Sequence, residues 1–333
     1  MLTYRIFLFK AIHYLINARE IGEVMVARAL MLILFCFFTM TSSVLSKHIN
    51  YTGREKVSLI STVETRNCFV SYVMIKDTVY LLKQKKDPNK QLAVVRDALA
   101  AWVAKDLDIA HHVAIVPFKN QFPGKRPSWP ATLHTLAQGK TVREQRDSKY
   151  NTLRLRQFWA HVATFNEKGL TKDIIKYMTW HRQLPIIVAL DLMIGNSDRH
   201  CGNLCYDSYT DTFCAIDMDD TFNKDLCLLA CKKLKCMMQD DVVIFTKEEI
   251  IALQAMRDAL KFLVCRHKPS DLIAQLYYFA KKAGFHKGSK IYTDNIGRKL
   301  AHYERMIRKS NKSAHKLISL LDTIITHKSQ EID

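Results

Sequence analysis

A short polar stretch near the middle of the chain holds the side chains best suited to chemistry. Asp198, Arg199 and His200 follow an apolar segment, and Asn203 comes five residues after the aspartate. Asp217 then ends a second, strand-like apolar run. A carboxylate can orient a hydroxyl group and accept its proton, while amide and carboxylate oxygens are the ligands that Mg²⁺ prefers. Together these are the groups that phosphoryl transfer requires.

The order and spacing of these residues resemble those of one enzyme group. Asp198 and Asn203 form the pattern D-x-x-x-x-N, which begins with D-R-H, and Asp217 follows on a predicted strand. The preceding segment 191–196 reads D-x-x-x-G-N. The whole arrangement is similar to the catalytic and metal-binding loops of the atypical kinases, a group that includes the phosphoinositide kinases, the HipA-type kinases and the actin-fragmin kinase.

The resemblance implies a kinase that uses ATP and Mg²⁺. Asp198 would be the catalytic base, and Asn203 and Asp217 would bind the metal ion. Arg199 and His200 complete the candidate catalytic set, and we expect His200 to brace the loop because Asp198 already supplies the base. A single Asp or Asn in a loop is more often a turn former, so the hypothesis depends on the whole set.

A kinase of this kind also needs a lysine that binds the nucleotide phosphates. β-branched and aromatic residues predict three strands between residues 57 and 84, separated by short polar turns. Kinases place the lysine on the third strand and an acid on the following helix. Lys83 fits the first position, with Lys85 of the same parity as a rival. Asp97 lies near the second position, where a glutamate is usual.

The first turn between these strands lacks the residue that phosphate-binding loops normally use. It reads Glu64-Thr65-Arg66-Asn67 and contains no glycine. No Gly-rich phosphate loop is therefore predicted. In this respect the chain differs from the protein kinases, as the HipA-type and phosphoinositide kinases also do.

The segment 131–139, ATLHTLAQG, is expected to connect two lobes. By the same resemblance its backbone, at Thr135 and Ala137, would bond the adenine ring. Beyond this segment the apolar periodicity predicts helices near 152–164, 172–181, 185–194, 225–238, 247–264, 268–284 and 294–325. We therefore expect an α+β, two-lobed protein-kinase-like fold, with a β-rich N-lobe at 47–138 and a larger helical C-lobe at 139–333.

Residues 1–46 form a predicted hydrophobic leader. Its apolar part, 29–46, carries no charge and is at the lower limit of length for a membrane span. It also fits the core of a signal peptide, with Met25 as an internal start and 44–46 as a cleavage site. A packed helix of the fold is the alternative. A signal or an anchor would make the protein exported or membrane-associated, for example a secreted bacterial effector, and a packed helix would leave it cytoplasmic.

The net charge of +18 arises from 50 lysines and arginines against 32 acidic residues. A basic surface favours anionic partners, although no nucleic-acid-binding motif is recognisable. We expect a protein hydroxyl as the phosphate acceptor. A phosphoinositide is the second expectation, favoured by the charge and by a possible anchor at 29–46.

Three other functions remain open at the level of sequence. The run FCAIDMDDTF resembles the first motif of the haloacid-dehalogenase phosphatases, with Asp217 as the nucleophile and Asp219 as the acid, and 242–246 would be the second motif. A basic, non-catalytic scaffold of kinase fold is another possibility. A kinase fold could also perform another ATP-dependent transfer, such as adenylylation or glutamylation.

Overall fold

The computed structural model describes residues 57–65, 67–87, 90–107, 109, 111–116, 130–137, 139–142, 170–200, 202–239 and 244–332. All of them belong to the unit formed by Ile49–Asp333. The predicted leader at 29–46 and the predicted helix at 152–164 lie outside the described residues. Across the described ranges, no helix combines the length and the apolar composition needed to cross a membrane.

An antiparallel sheet forms the first part of the fold. Its strands lie in the order β1-β2-β3-β5-β4. The β2–β3 turn consists of Lys76 and Asp77, whose φ angles of 48° and 60° are those of a primed hairpin turn. The strands are β1 (Val57–Glu64), β2 (Cys68–Ile75), β3 (Thr78–Lys85), β4 (Val113–Val116) and β5 (Ala131–Thr135).

The two faces of this sheet differ in what they carry. One face buries an apolar cluster made of Val73, Ile75, Leu82, Val116, Ala131 and Leu133. Side chains alternate between faces along a strand, so Lys83 belongs to the other face. There it is flanked by Val70 on β2 and Thr132 on β5, its partners in the strand register.

The remaining elements are mainly helical. Helix α1 (Ala93–Ala104) and a 3₁₀ turn (Lys105–Leu107) lie between β3 and β4 in the chain. A small antiparallel sheet, in the order β6-β7-β8, belongs to the second part of the fold. The elements after β5 are β6 (Lys140–Thr141), α2 (Lys172–Met178), α3 (Leu184–Ile194), β7 (Leu204–Asp207), β8 (Thr212–Ala215), α4 (Leu226–Gln239), α5 (Lys247–Arg266), α6 (Pro269–Lys282) and α7 (Asp294–Ile332).

Helix α3 is the centre of the helical part. Every residue of α3 except Ile186 is buried, and α3 packs against α5, which in turn packs against α7. Pro185 lies in its first turn, and Gly195 ends it with a left-handed φ of 60°. A Cβ atom at Gly195 would lie 2.2 Å from Lys224 O, so only glycine fits there. This sharp end directs the polar loop that follows α3 out of the core.

The predicted α+β fold, with a small β-rich N-terminal lobe and a larger helical C-terminal lobe, is confirmed. The three N-terminal strands and the helices in the described ranges lie within a few residues of their predicted positions, except that α7 extends to Ile332, beyond its predicted end at 325. Strands β4 and β6 were not predicted. They contain only four and two residues, too few for an alternating pattern to be recognised.

Candidate active site

A cleft of about 660 Å³ lies between the five-stranded sheet and the helical part. Four of the predicted site residues line it: Lys83, Asp198, His200 and Asp217. The described residues that line it from the sheet side are Thr65, Asn67, Cys68, Val70, Lys83, Lys85, Lys90, Ala93 and Arg96, and those from the helical side are Asp198, His200, Asp217, Asp219 and Asp220. Four cations therefore face four carboxylates, a composition suited to a phosphorylated ligand with a metal ion.

Lys83 connects the two sides of the cleft. Its Nζ donates to Asp217 Oδ1 and, at 2.7 Å, to Asp219 Oδ2, and only 10% of its side chain is exposed. Burial alone would lower the pKa of the Lys83 ammonium group. The nearby carboxylates, led by those of Asp217 and Asp219, outweigh burial and hold this pKa well above its ordinary value. Lys83 is therefore a cation at every physiological pH.

Asp217 follows β8 in a strained backbone conformation. Its φ of 52° lies in the left-handed region, which costs a non-glycine residue about 1–3 kcal/mol and occurs most often at functional sites. β8 ends at Ala215, and Ile216 N donates to Asn203 O at 3.1 Å. This bond holds the backbone of Asn203 beside the residue that precedes Asp217, the second predicted metal ligand.

The loop after α3 presents its aspartate to the cleft. Asp198 is exposed, whereas Asn203 is buried and donates through Nδ2 to Asp198 O at 2.8 Å. The His200 Nδ1 atom accepts a hydrogen bond from Gly202 N at 3.0 Å, so a neutral His200 carries its proton on Nε2. His200 is thus bonded to the backbone of its own loop, and its bracing role stays a prediction.

Arg199, a predicted catalytic residue, lies beneath the cleft and does not line it. Its side chain is 1% exposed and makes a bidentate pair with Asp191. Asn196 Nδ2 also donates to Asp191, and Asn196 Oδ1 accepts from Asp198 N. The contacts of Arg199 are those of a positioning residue, because none of them reaches the cleft.

Asp97 has a different partner from the one its position suggested. It was expected to pair with Lys83, but its Oδ2 lies 3.2 Å from His134 Nε2 and 3.4 Å from Thr132 Oγ1. Oδ1 has no hydrogen-bond partner among the described residues. Burial raises the pKa of the Asp97 carboxyl, but His134 and then Lys83 outweigh burial and hold it below its ordinary value. Asp97 thus acts on Lys83 through its charge and without direct contact.

His134 continues into a second buried histidine. His111 Nδ1 lies 3.2 Å from Ala215 O, so Nδ1 must donate, and His111 Nε2 accepts from His134 Nδ1 at 2.6 Å. This chain of hydrogen bonds runs from Asp97 on α1 to Ala215 at the end of β8. It joins the sheet to the strand that precedes Asp217.

The predicted adenine-binding residues lie at the end of β5. Thr135 N donates to His112 O at 2.9 Å, and Thr135 Oγ1 accepts from His112 N at 3.0 Å. Ala137 follows beyond the strand, after Leu136, which is 47% exposed. Neither Thr135 nor Ala137 is among the described residues that line the cleft.

Several cleft residues were absent from the predicted kinase site, although Lys85 and Asp219 were named as alternatives. Lys85 was the rival of Lys83, and both lie in the cleft. Asp219 and Asp220 follow Asp217 closely, so their position after a predicted metal ligand was the available signal. Arg96 contacts Asp220 at 3.4 Å. No pattern in the sequence marked Arg96, because its partner lies 124 residues away.

The described part of the chain offers Mg²⁺ few protein ligands. In the part of the chain that the structure describes, no three His, Cys, Asp or Glu side chains cluster closely enough to hold a metal ion by themselves. The Nδ2 atom of Asn203 donates a hydrogen bond to Asp198 O. The side-chain oxygen of Asn203 takes no part in that bond. One amide oxygen and the Asp217 carboxylate are hard oxygen donors, and phosphate oxygens would supply others, as is usual for Mg²⁺. The residues therefore fit the metal.

No protein-family model and no curated protein matches the chain. Among solved structures, the chain is similar to the proinflammatory kinase CtkA of Helicobacter pylori, with 11% identity, a TM-score of 0.43 and coverage of 80% of this chain and 96% of that one. It is similar to the Rio2 kinase of Chaetomium thermophilum, with 11% identity, a TM-score of 0.35 and coverage of 77% and 72%.

An ethanolamine kinase of Plasmodium vivax is also similar, with 10% identity, a TM-score of 0.30 and coverage of 84% of this chain and 88% of that one. All three are named as kinases. At these identities and TM-scores, the similarity assigns no function to this chain.

Proposed function

We propose that this protein is an ATP- and Mg²⁺-dependent phosphotransferase of the atypical kinase type. The observation that carries the proposal is the contact of Lys83 with Asp217 across the cleft. It joins the strand expected to hold the nucleotide phosphates to the loop expected to hold the metal ion. Asp198 is exposed in the same cleft, so each role that phosphoryl transfer requires has a candidate residue.

Asp198 is the proposed base. Its carboxylate orients the acceptor hydroxyl and takes the proton as the hydroxyl oxygen bonds to the γ-phosphorus, while the bond from that phosphorus to the bridging oxygen breaks and ADP leaves. Lys83 holds the phosphate oxygens in place. Mg²⁺ held by Asn203 and Asp217 would neutralise phosphate charge. Arg199 and His200 keep the loop in shape for this reaction.

A protein hydroxyl is the proposed acceptor, with a phosphoinositide second. Asp219 and Asp220 on one side of the cleft and Lys90 and Arg96 on the other would bind a polar acceptor rather than an apolar one. The net charge of +18 favours an anionic partner. An anchor or signal at 29–46 stays a prediction.

The phosphatase alternative finds less support. It needs a further pair of acids after a later strand, but residues 244–332 contain α5, α6 and α7 and no strand. Lys83 also contacts both Asp217 and Asp219, the two carboxylates that the phosphatase mechanism would require. Two of the five residues of its predicted second motif, 242–243, lie outside the described residues, and 244–246 are not in a strand.

The test is transfer of label from γ-labelled ATP in the presence of Mg²⁺. The full chain would be compared with Asp217→Asn, which keeps the side-chain shape but removes the charge. Asp271→Asn, at the exposed start of α6, is the matched control. Label would be followed into the protein itself, into added proteins and into phosphoinositide vesicles.

Transfer that disappears in Asp217→Asn and persists in Asp271→Asn would support the kinase, and the labelled fraction would name the acceptor class. Transfer at the same rate in Asp217→Asn would refute it. If only α-labelled ATP labels a product, the reaction is adenylyl transfer. Absence of transfer from both nucleotides would favour a scaffold.

A further inference from the structure

The turn between β1 and β2 lines the cleft, and two of its backbone N–H groups are bonded within the turn. Gly-rich loops hold phosphates with free backbone N–H groups. Here Thr65 N donates to Cys68 O at 3.0 Å, and Cys68 N donates to Thr65 Oγ1 at 3.0 Å. Thr65 Oγ1 also lies 2.9 Å from Cys68 O. The N–H groups of Thr65 and Cys68 are therefore used within the turn, although both residues line the cleft.

A second lysine lies directly beside this turn. Lys85 is two residues after Lys83 on β3, pairs in register with Cys68, and lines the same cleft. Its ammonium group forms an ion pair with Asp219 Oδ2, and the two side chains are only 13% and 14% exposed. A cation thus lies on the side of the cleft that this turn lines.

Lys83 and Lys85 contact the same acceptor atom, a carboxylate oxygen of Asp219. The same Asp219 Oδ2 accepts from Lys83 Nζ at 2.7 Å and from Lys85 Nζ. Asp217 also accepts from Lys83, so two carboxylates face the two ammonium groups. Because both ammonium groups contact the same oxygen atom, they lie close enough together to contact one phosphate chain.

We propose that Lys85 is a second phosphate-binding lysine, which takes over the role of the missing glycine-rich turn and binds the terminal phosphates of the nucleotide together with Lys83. Asp219 positions both ammonium groups by accepting from each of them. Lysine suits this task, because its ammonium group is a compact charge with three donors that needs no fixed fork geometry. This inference rests on the proposed function, because it assumes that ATP occupies the cleft.

The experiment compares the affinity of the full chain for ATP with its affinity for AMP, by titration calorimetry with Mg²⁺ present. Lys85→Ala removes the charge, Lys85→Met keeps the length of the side chain, and Lys85→Arg keeps the charge. Lys86→Ala is the matched control. Lys86 is the next residue in the chain, lies over the Phe69 ring at 5.1 Å, and is not among the described residues that line the cleft.

For ATP we expect about 10- to 100-fold weaker binding in Lys85→Ala and Lys85→Met, the worth of one charge-assisted contact. AMP binding should change by less than about twofold, because AMP lacks the terminal phosphates that Lys85 would contact. Lys85→Arg should restore most of the affinity for ATP, and Lys86→Ala should bind ATP as the wild type does.

Two results would overturn the inference. Equal losses for ATP and AMP in Lys85→Met would indicate damage to the whole cleft, and unchanged ATP binding would exclude a phosphate contact. If the wild type binds no ATP, both the proposed function and the inference are wrong. If the wild type binds ATP and the Lys85 variants bind it equally well, the inference is wrong but the proposed function stands.

Discussion

Arg199 and Asp191 form a bidentate ion pair beneath the candidate catalytic loop. Arg199 Nε donates to Asp191 Oδ2 and Nη2 to Asp191 Oδ1, each at 2.9 Å. The remaining nitrogen, Nη1, donates to Asn203 O at 2.5 Å and to Ile216 O at 3.0 Å. A single buried guanidinium group thus joins α3, the loop and the residue before Asp217. The arrangement of the cleft carboxylates depends on this residue, which does not reach the cleft.

Arg199→Leu should lower the free energy of unfolding by about 3–5 kcal/mol, because it leaves a buried carboxylate without its partner. Urea denaturation would measure the change. The double variant with Asp191→Leu should lose less than the sum of the two single variants, since it leaves no charge unpaired.

Arg257→Leu is the control for this substitution. Its partners Asp258 and Asp322 are 61% and 42% exposed, so the loss should stay below about 1 kcal/mol. Equal losses in Arg199→Leu and Arg257→Leu would contradict a special role for the buried pair.

Asp198→Asn should slow phosphoryl transfer by about 10²–10⁴-fold, the usual contribution of a general base. The KM for ATP should change little, because Asp198 accepts a proton from the acceptor and is not expected to hold the nucleotide. Single-turnover kinetics would separate the chemical step from binding. A higher KM with an unchanged kcat in Asp198→Asn would show that Asp198 is not the base.

The stability of the protein should fall in acid partly because of His111. Burial, together with the neighbouring His134, lowers the pKa of His111 to about 3 from an ordinary value of 6.5. Between these two values the unfolded chain binds a proton that the folded protein does not. Stability is therefore lost as the pH falls through this window, by up to about 1.4 kcal/mol per pH unit.

His111→Asn keeps a donor for Ala215 O but cannot titrate. Its free energy of unfolding, measured by urea denaturation between pH 6.5 and pH 4, should depend less steeply on pH than that of the wild type. Parallel pH profiles for the two proteins would show that His111 is not the group responsible.

Gly139→Ala should destabilise the protein far more than Gly288→Ala. Both glycines have a left-handed φ, of 80° and 86° respectively. A Cβ atom at Gly139 would lie 2.2 Å from Tyr206 O, whereas nothing lies within 4 Å of one at Gly288.

The strain of the left-handed conformation costs an alanine about 1–2 kcal/mol at either position. The clash should raise the loss at Gly139 to about 3 kcal/mol or more. Thermal unfolding of the two variants would measure the difference. Similar shifts in Tm would mean that β7 moves away to accommodate the methyl group.

Local patterns in the sequence were sufficient for the first three strands and the described helices of the second lobe, but not for the short strands β4 and β6. Strands β1, β2 and β3 were predicted from β-branched residues and polar turns, and α3 from its apolar run between Pro185 and Gly195. The order of Asp198, Asn203 and Asp217 pointed to phosphoryl transfer. These signals depend only on neighbours in the chain, because propensity, periodicity and turn formation are local properties.

The partners of the charged residues were decided by the tertiary structure alone. Lys83 and Asp217 are 134 residues apart in the sequence, and no local property states that they meet. Asp97 was expected to reach Lys83. Because β5 lies between β3 and β4, the sheet presents His134 to this carboxylate instead.

The same holds for the burial of Arg199 and for the shared contact of Lys85 with Asp219. A buried charge must find a partner within hydrogen-bonding distance. Which partner it finds depends on the order of the strands and on the packing of helices that are distant in the chain. The sequence by itself therefore determined the candidate groups, and the three-dimensional packing decided which of them interact.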